Sequence, residues 1–233
     1  MTDMGEVTRL PSDFDGRVRL FPLPDLVVFP HAMQPLHVFE PRYCEMLRES
    51  LASDQLIAMA TIGATEGSTE PPPLERYVCI GRVISHVAND DQKHNILLLG
   101  AQRARLRQEL DTSRSFRMAE VEVIPDVYPP AGATTRQQLR RRLLDAFQEV
   151  IPDAGEVHKN LHELMAGQMP LGPITDIIAF TMQFASSIKL DLLGEGDVDR
   201  RAAQLAATLE QMAAADAPQP PGSDRFPPPF SVN

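Results

Sequence analysis

Few residues in this chain have the type and spacing to do chemistry. His158 and His162 stand four apart, followed by Glu163, a spacing that can turn two imidazoles toward one metal ion. A zinc-protease H-E-x-x-H would need histidine where Ala166 stands, and no third ligand lies nearby, so a solvated helix face is the simpler reading. Gly194–Asp199 (GEGDVD) alternates carboxylates faintly like a calcium loop. It lacks the D-x-D-x-D-G order and the closing glutamate, and it suits acids near a helix N-terminus better. Arg103, Arg105 and Arg107 alternate and would share one face of a strand, with Ala104 and Leu106 opposite. Such a stripe could contact RNA, yet acidic residues surround it and no aromatic residues interleave with it. The two cysteines, Cys44 and Cys79, make neither a disulfide framework nor a four-thiolate site, and they read as buried core thiols. No G-x-x-x-x-G-K-[ST] loop, G-x-S-x-G elbow or convincing Ser–Lys arrangement occurs. No cofactor and no metal is expected.

The elements that would position these residues begin with Val18–Tyr43. Its short apolar runs, Leu20–Leu23 and Leu26–Phe29, are punctuated by Pro22, Pro24, Pro30, Pro35 and Pro41 and read as short strands. Pro41 suits a first helical position, and Cys44, Leu47 and Leu51 then fall on one helical face. Leu56–Gly63 reads as a buried strand. The 77–90 segment alternates, Asn89–Asp91 marks a turn, Asn95–Leu110 reads as a strand pair, and 116–124 as another strand. After Pro125 the period becomes helical. Leu139, Leu143, Phe147 and Val150 mark a first helix, and Val157, Leu161, Leu164 and Met165 a second. Ile174 to Ile188 marks a long third, and Val198, Ala202, Leu205, Leu209 and Met212 a fourth. These patterns predict an α+β chain: a flexible leader (1–16), a strand-rich unit (17–126), a helical unit (132–213) and a disordered Pro-rich tail (214–233).

Composition narrows the function. The chain has 233 residues and a net charge of −10. Residues 17–131 hold 12 basic and 15 acidic groups, and residues 132–213 hold 8 and 11, so neither half is a basic nucleic-acid module. No apolar run is long enough to span a bilayer, so no membrane role is expected, and the cytoplasm is the expected compartment.

The opening block also carries a family resemblance. Leu20–Leu23 (LFPL), Val27–Pro30 (VVFP) and Pro35–Tyr43 (PLHVFEPRY) are similar to the start of the Lon protease N-terminal, substrate-binding domain. Ile80–Gly81, Asn95–Arg103, Ile178–Ala179, Leu192–Leu193 and Asp197–Arg201 continue the likeness, which runs from about Arg17 to Met212. One departure is His31, where that family usually has glycine. The resemblance implies a PUA-like small β-barrel with one early helix, followed by an α-helical bundle. It also implies a structural pairing role for Arg103. In function it implies a non-enzymatic polypeptide-binding module without the ATPase and Ser–Lys protease modules of full Lon, an adaptor or quality-control factor. Its partners would be unfolded or disordered polypeptides and a separate protease, and the alternative is a PUA-like RNA-binding module. Leu26, Phe29, Pro30, Phe39, Glu40, Arg42 and Tyr43 form the candidate peptide-binding or structural motif, with Glu40 and Arg42 expected to tie barrel to helix. A cleft between barrel and bundle is the second expected surface.

Overall fold

Apolar runs bounded by prolines set the first half of the molecule, and a computed structural model shows how they pair. It describes residues 7–64, 71–89, 93–151 and 169–216. Strand β1 is Arg17–Leu23, β2 is Met33–Val38, helix α1 is Pro41–Leu51 and β3 is Leu56–Ile62. Strands β4 (Leu74–Ala88), β5 (His94–Leu110) and β6 (Met118–Val123) follow. Helix α1 begins on Pro41, as its fixed φ predicts, and buries Tyr43, Cys44, Met46 and Leu47.

The strands form one mixed sheet in the order β2-β5-β4-β3-β1-β6, and β6 pairs back onto β5. Five strands therefore close into a ring, and β2 stands outside it on the N-terminal half of β5. β1 and β3 are parallel and the other pairs antiparallel. The interior is filled from all five ring strands: Val18 and Leu20, Leu56, Ala58 and Ala60, Val78 and Ile80, Ala104, Ala119 and Val121. Four alanines among these ten fit the narrow bore that five strands enclose.

Helices α2 (Arg136–Val150), α3 (Leu171–Thr181), α4 (Ser186–Gly194) and α5 (Val198–Asp216) make the second layer. The stripe expected on the last helix is present: Val198, Ala202, Leu205 and Leu209 are all fully buried. Asp197 Oδ1 accepts the N–H groups of Asp199 and Arg200, so the acidic run caps a helix N-terminus.

The structure departs from the sequence expectations in three places. Leu26–Phe29 is not a strand. Its residues Val27, Val28 and Phe29 are buried, but the segment lies between two left-handed residues, Asp25 (φ 53) and His31 (φ 64), which bend the chain away from any ladder. Asn95–Leu110 is not a strand pair but part of one 17-residue strand, β5, whose alternation is broken by bulges. The long third helix is two helices, broken at Met182, whose ψ of 144 is extended. Lys189 Nζ donates to the Phe180 carbonyl at 3.1 Å, satisfying an acceptor that the break leaves over. The expected second helix, with His158 and His162, and the Pro-rich tail lie outside the described residues.

Candidate functional site

Strand β2 and the adjoining ends of β5 and β4 form a three-stranded wing beside the ring. Register puts His37 opposite Asn95 and Asn95 opposite Val87; Pro35, Leu97 and Ser85 make the next row, and Met33, Leu99 and Arg82 the third. Residues paired in one row point to one side, so these nine share the wing's outer face. That face is open at one end: Met33 is 58% exposed, Val87 57%, Ile84, at the bulge, 41%, and Phe39, just after β2, 59%, whereas Leu99 is buried and Arg82 donates to the Val7 and Arg9 carbonyls. The His37 ring stacks on Phe39 at 5.7 Å and its Nδ1 lies 2.7 Å from Asn95 Oδ1. Large apolar side chains gathered on one exposed face mark an interaction surface. The far edge of β2 pairs with no strand among the described residues, so it offers backbone groups to an incoming chain.

The structure divides the seven candidate residues into two groups. Phe29, Pro30 and Tyr43 are buried, Tyr43 with its ring centroid 4.5 Å from that of Phe21. Burial raises the Tyr43 phenol above its ordinary pKa. Leu26 is half-buried and its carbonyl accepts the Thr61 hydroxyl at 2.9 Å. Phe39, Glu40 and Arg42 sit together at the start of α1, beside the wing. Arg42 Nε donates to Glu40 Oε2 at 2.9 Å and its guanidinium lies 4.6 Å from the Tyr43 ring centre. The Glu40 carbonyl, rather than its carboxylate, opens the helix by accepting the Tyr43 and Cys44 N–H groups.

The junction between sheet and helices is filled at its centre by an ion cluster. Arg103 and Arg201, on β5 and α5, are fully buried there with Asp176 of α3. Arg103 donates to both Asp176 oxygens at 2.7 Å and pairs with Asp126 at 3.2 Å. Arg201 donates to both Asp126 oxygens at 3.0 Å, and its Nε lies 3.2 Å from Asp176. Arg103 also donates to the Leu192 and Leu193 carbonyls at the end of α4. Burial disfavours the Arg103 cation, but the two carboxylates outweigh it and hold its pKa above the ordinary value. His31 borders this cluster. Its burial, only partly opposed by Asp176 and Asp126, lowers its pKa. At one end of the junction a hollow of about 340 Å³ lies between Thr61, Tyr77, Ser187 and Asp191.

The arginine stripe is thus divided along β5: Arg103 is internal and Arg107 is paired with Glu122. Cys44 and Cys79 are buried, and burial pushes the Cys79 thiol up, away from the nucleophilic thiolate. Among the described residues no three His, Cys, Asp or Glu side chains cluster as a metal site. Among them, too, no helix is long and apolar enough to cross a membrane. Sequence reading missed Met33, Ile84 and Val87, although Pro35 within an alternating run is itself an edge-strand signal. It also missed Asp126 and Asp176 as partners of Arg103; a lone aspartate in the apolar run LGPITDIIAF was the available clue.

A mixed sheet closed on itself, backed by helices and carrying an open apolar wing, defines an α+β binding domain. Solved structures share this fold. The crystal structure of a Lon N-terminal domain protein from Xanthomonas campestris superposes with a TM-score of 0.56 at 21% identity, covering 82% of this chain and 97% of that one. The N-terminal domain of Mycobacterium avium complex Lon protease gives 0.62 at 13% identity, covering 86% and 99%. The family model for the ATP-dependent protease La (LON) substrate-binding domain matches residues 17–211, and the chain belongs to that family. The Lon protease of Koribacter versatilis is 26% identical over 184 residues, 78% of this chain and 22% of that protein. That of Escherichia coli K12 is 24% identical over 196 residues, 83% and 24%. The chain thus spans about a quarter of the length of these Lon relatives, and the matched part is the substrate-binding domain.

Proposed function

We propose that this chain binds unfolded or disordered polypeptide segments on the outer face and free edge of the β2-β5-β4 wing and performs no chemistry on them. The observation that carries this reading is the coincidence of Met33, Phe39, Ile84 and Val87, all exposed, with a strand edge that is unpaired among the described residues. An extended segment can add its backbone to that edge and lay alternate apolar side chains on the face. Family membership supports the same reading, because the matched domain is the one described as substrate-binding. In this reading the strand ring is a small PUA-like barrel (17–126) and the helices (132–213) are its support. Phe29, Pro30 and Tyr43 hold the opening segment, Leu26 borders it, and Phe39, Glu40 and Arg42 touch the client. The chain works in the cytoplasm as an adaptor that brings clients to a separate protease.

The test is calorimetric titration of a permanently unfolded protein, reduced and carboxymethylated, into the full chain. Saturable binding is expected. Met33→Asp and Val87→Asp, changes at exposed positions, should each weaken it about tenfold or more, because each puts a charge where apolar contact forms. No heat at high concentration, or variants that bind like the parent, would refute the proposal.

A further inference from the structure

The inner face of the wing holds a pair of side chains that polypeptide binding does not use. His86 and His94 lie diagonally across the β4–β5 ladder: His86 is opposite Ile96 and His94 opposite Ala88. Both therefore point to the side that faces α1, away from Met33 and Val87. His86 Nε2 stands 2.9 Å from His94 Nδ1, with ring centroids 5.0 Å apart and planes tilted by 37°. They line a cleft of about 630 Å³ closed on its other side by Leu47, Arg48, Leu51 and Ala52.

We propose that His86 and His94 form a chelating pair for one borderline divalent transition ion, of the class of Zn²⁺ and Ni²⁺. Two imidazoles bound to one tetrahedral ion at about 2.0–2.1 Å place their nitrogens about 3.3 Å apart, so the ion displaces the proton of the present His86–His94 hydrogen bond while the rings separate by about half an ångström and turn both lone pairs toward it. His86 is exposed and can turn by that amount. Imidazole binds metal in its neutral form, and the surroundings favour that form at His94. Partial burial, then His86 and then Arg48, lower its pKa. The last turn of α1 also ends in this cleft, and the partial negative charge of a helix C-terminus favours a cation. Arg48 opposes the ion's charge and so selects for an anionic or water co-ligand beside it. Among the described residues no third ligand joins the pair. Among the described residues the pair leaves positions on the ion for water or for a further donor, unlike a closed structural zinc site.

The experiment uses the full chain carrying no histidine tag, stripped with chelator, and titrated with NiCl₂ and with ZnCl₂ in a calorimeter. Uptake of one ion is expected in the parent and in His37→Ala, whose imidazole lies on the opposite face. That uptake should disappear in His86→Ala and in His94→Gln, which keeps a hydrogen-bonding group but no ring nitrogen. Thermal unfolding of the metal-free variants checks that they fold. Should either fail to fold, the imidazole ¹⁵N resonances of the parent decide the matter: those of His86 and His94 must shift together when zinc is added. No uptake by the parent, unchanged uptake by a folded His86→Ala or His94→Gln, or imidazole signals that do not move would overturn the proposal.

Discussion

The buried ion cluster makes a quantitative prediction through Asp176→Asn. In the parent, two guanidiniums, Arg103 and Arg201, face two carboxylates, Asp126 and Asp176, and three of the four side chains are closed off from water. The substitution keeps the shape of residue 176 but leaves two buried cations with the single, partly exposed carboxylate of Asp126. Removing one partner from a buried pair costs about 3–5 kcal/mol, because the remaining charge stays desolvated. For a chain of this size each kcal/mol moves the melting temperature about 2–4 °C, so a fall of about 6–20 °C is expected. Differential scanning calorimetry measures it, and urea unfolding with an unchanged slope would show that the loss is stability rather than altered compactness. Adding Arg103→Met to Asp176→Asn restores one cation to one anion. The double variant should therefore be more stable than the sum of the two single losses, by about 1–3 kcal/mol. An Asp176→Asn variant within about 1 kcal/mol of the parent, or strict additivity in the double variant, would refute the cluster's role.

Three further outcomes are expected. Gly100→Ala should cost at least the upper end of the about 1–3 kcal/mol of overpacking, measured by urea unfolding, because an added Cβ would overlap the Phe29 carbonyl. That approach is fixed by two hydrogen bonds of 2.8 Å, His31 N–H to the Gly100 carbonyl and Gly100 N–H to the Ala32 carbonyl. His31 titrates below its ordinary value when folded, so the unfolded chain takes up the proton first as pH falls through the imidazole range. Its share of stability is therefore present above that range and lost below it. His31→Asn, which tolerates the left-handed backbone, should flatten the melting temperature between pH 7.5 and 5.5 relative to the parent. Glu49 is held below the ordinary carboxylate pKa by the hydrogen bond from Arg114 and then by Arg19, against its partial burial. Its contribution exists above the ordinary carboxylate pKa and disappears on acidification, so the gap in melting temperature between parent and Glu49→Gln should close as pH falls through that range.

Some of this architecture was legible in the residues because one local signal dominated. Pro41 fixed the start of α1, the unbroken LIAMATI run gave β3, and the spacing of four, three and four from Val198 to Leu209 gave the buried stripe of α5. The departures arise where tertiary contacts override pattern. β5 reads as two strands because bulges at Gly100 and near Arg107 interrupt its alternation, while hydrogen bonds to three neighbours keep it continuous. Leu26–Phe29 has strand composition, yet it is held by the Thr61 hydroxyl on the Leu26 carbonyl, and just after it by the hydrogen bonds of His31 and Ala32 to Gly100, instead of a ladder. The α3–α4 break carries neither glycine nor proline. Family resemblance suggested a pairing role for Arg103, but its counterions, Asp126 and the fully buried Asp176, lie far along the chain, Asp176 73 residues later, a distance that no local pattern spans. The wing was hidden for a related reason: Met33 and Val87 lie on one face only once β5 is seen between their strands.

The closure of the strand ring also bears on how the chain is made. β1 lies at residues 17–23, and its second neighbour, β6, is Met118–Val123. A nascent chain leaving the ribosome therefore holds β1 for about a hundred residues before the ring can shut. During that interval the alanine-lined bore is open to water and β1 has an unsatisfied border, the condition under which partly made chains associate. Pairings so distant along the chain also slow folding. If the chain binds unfolded segments as proposed, it passes during its own synthesis through a state resembling those clients.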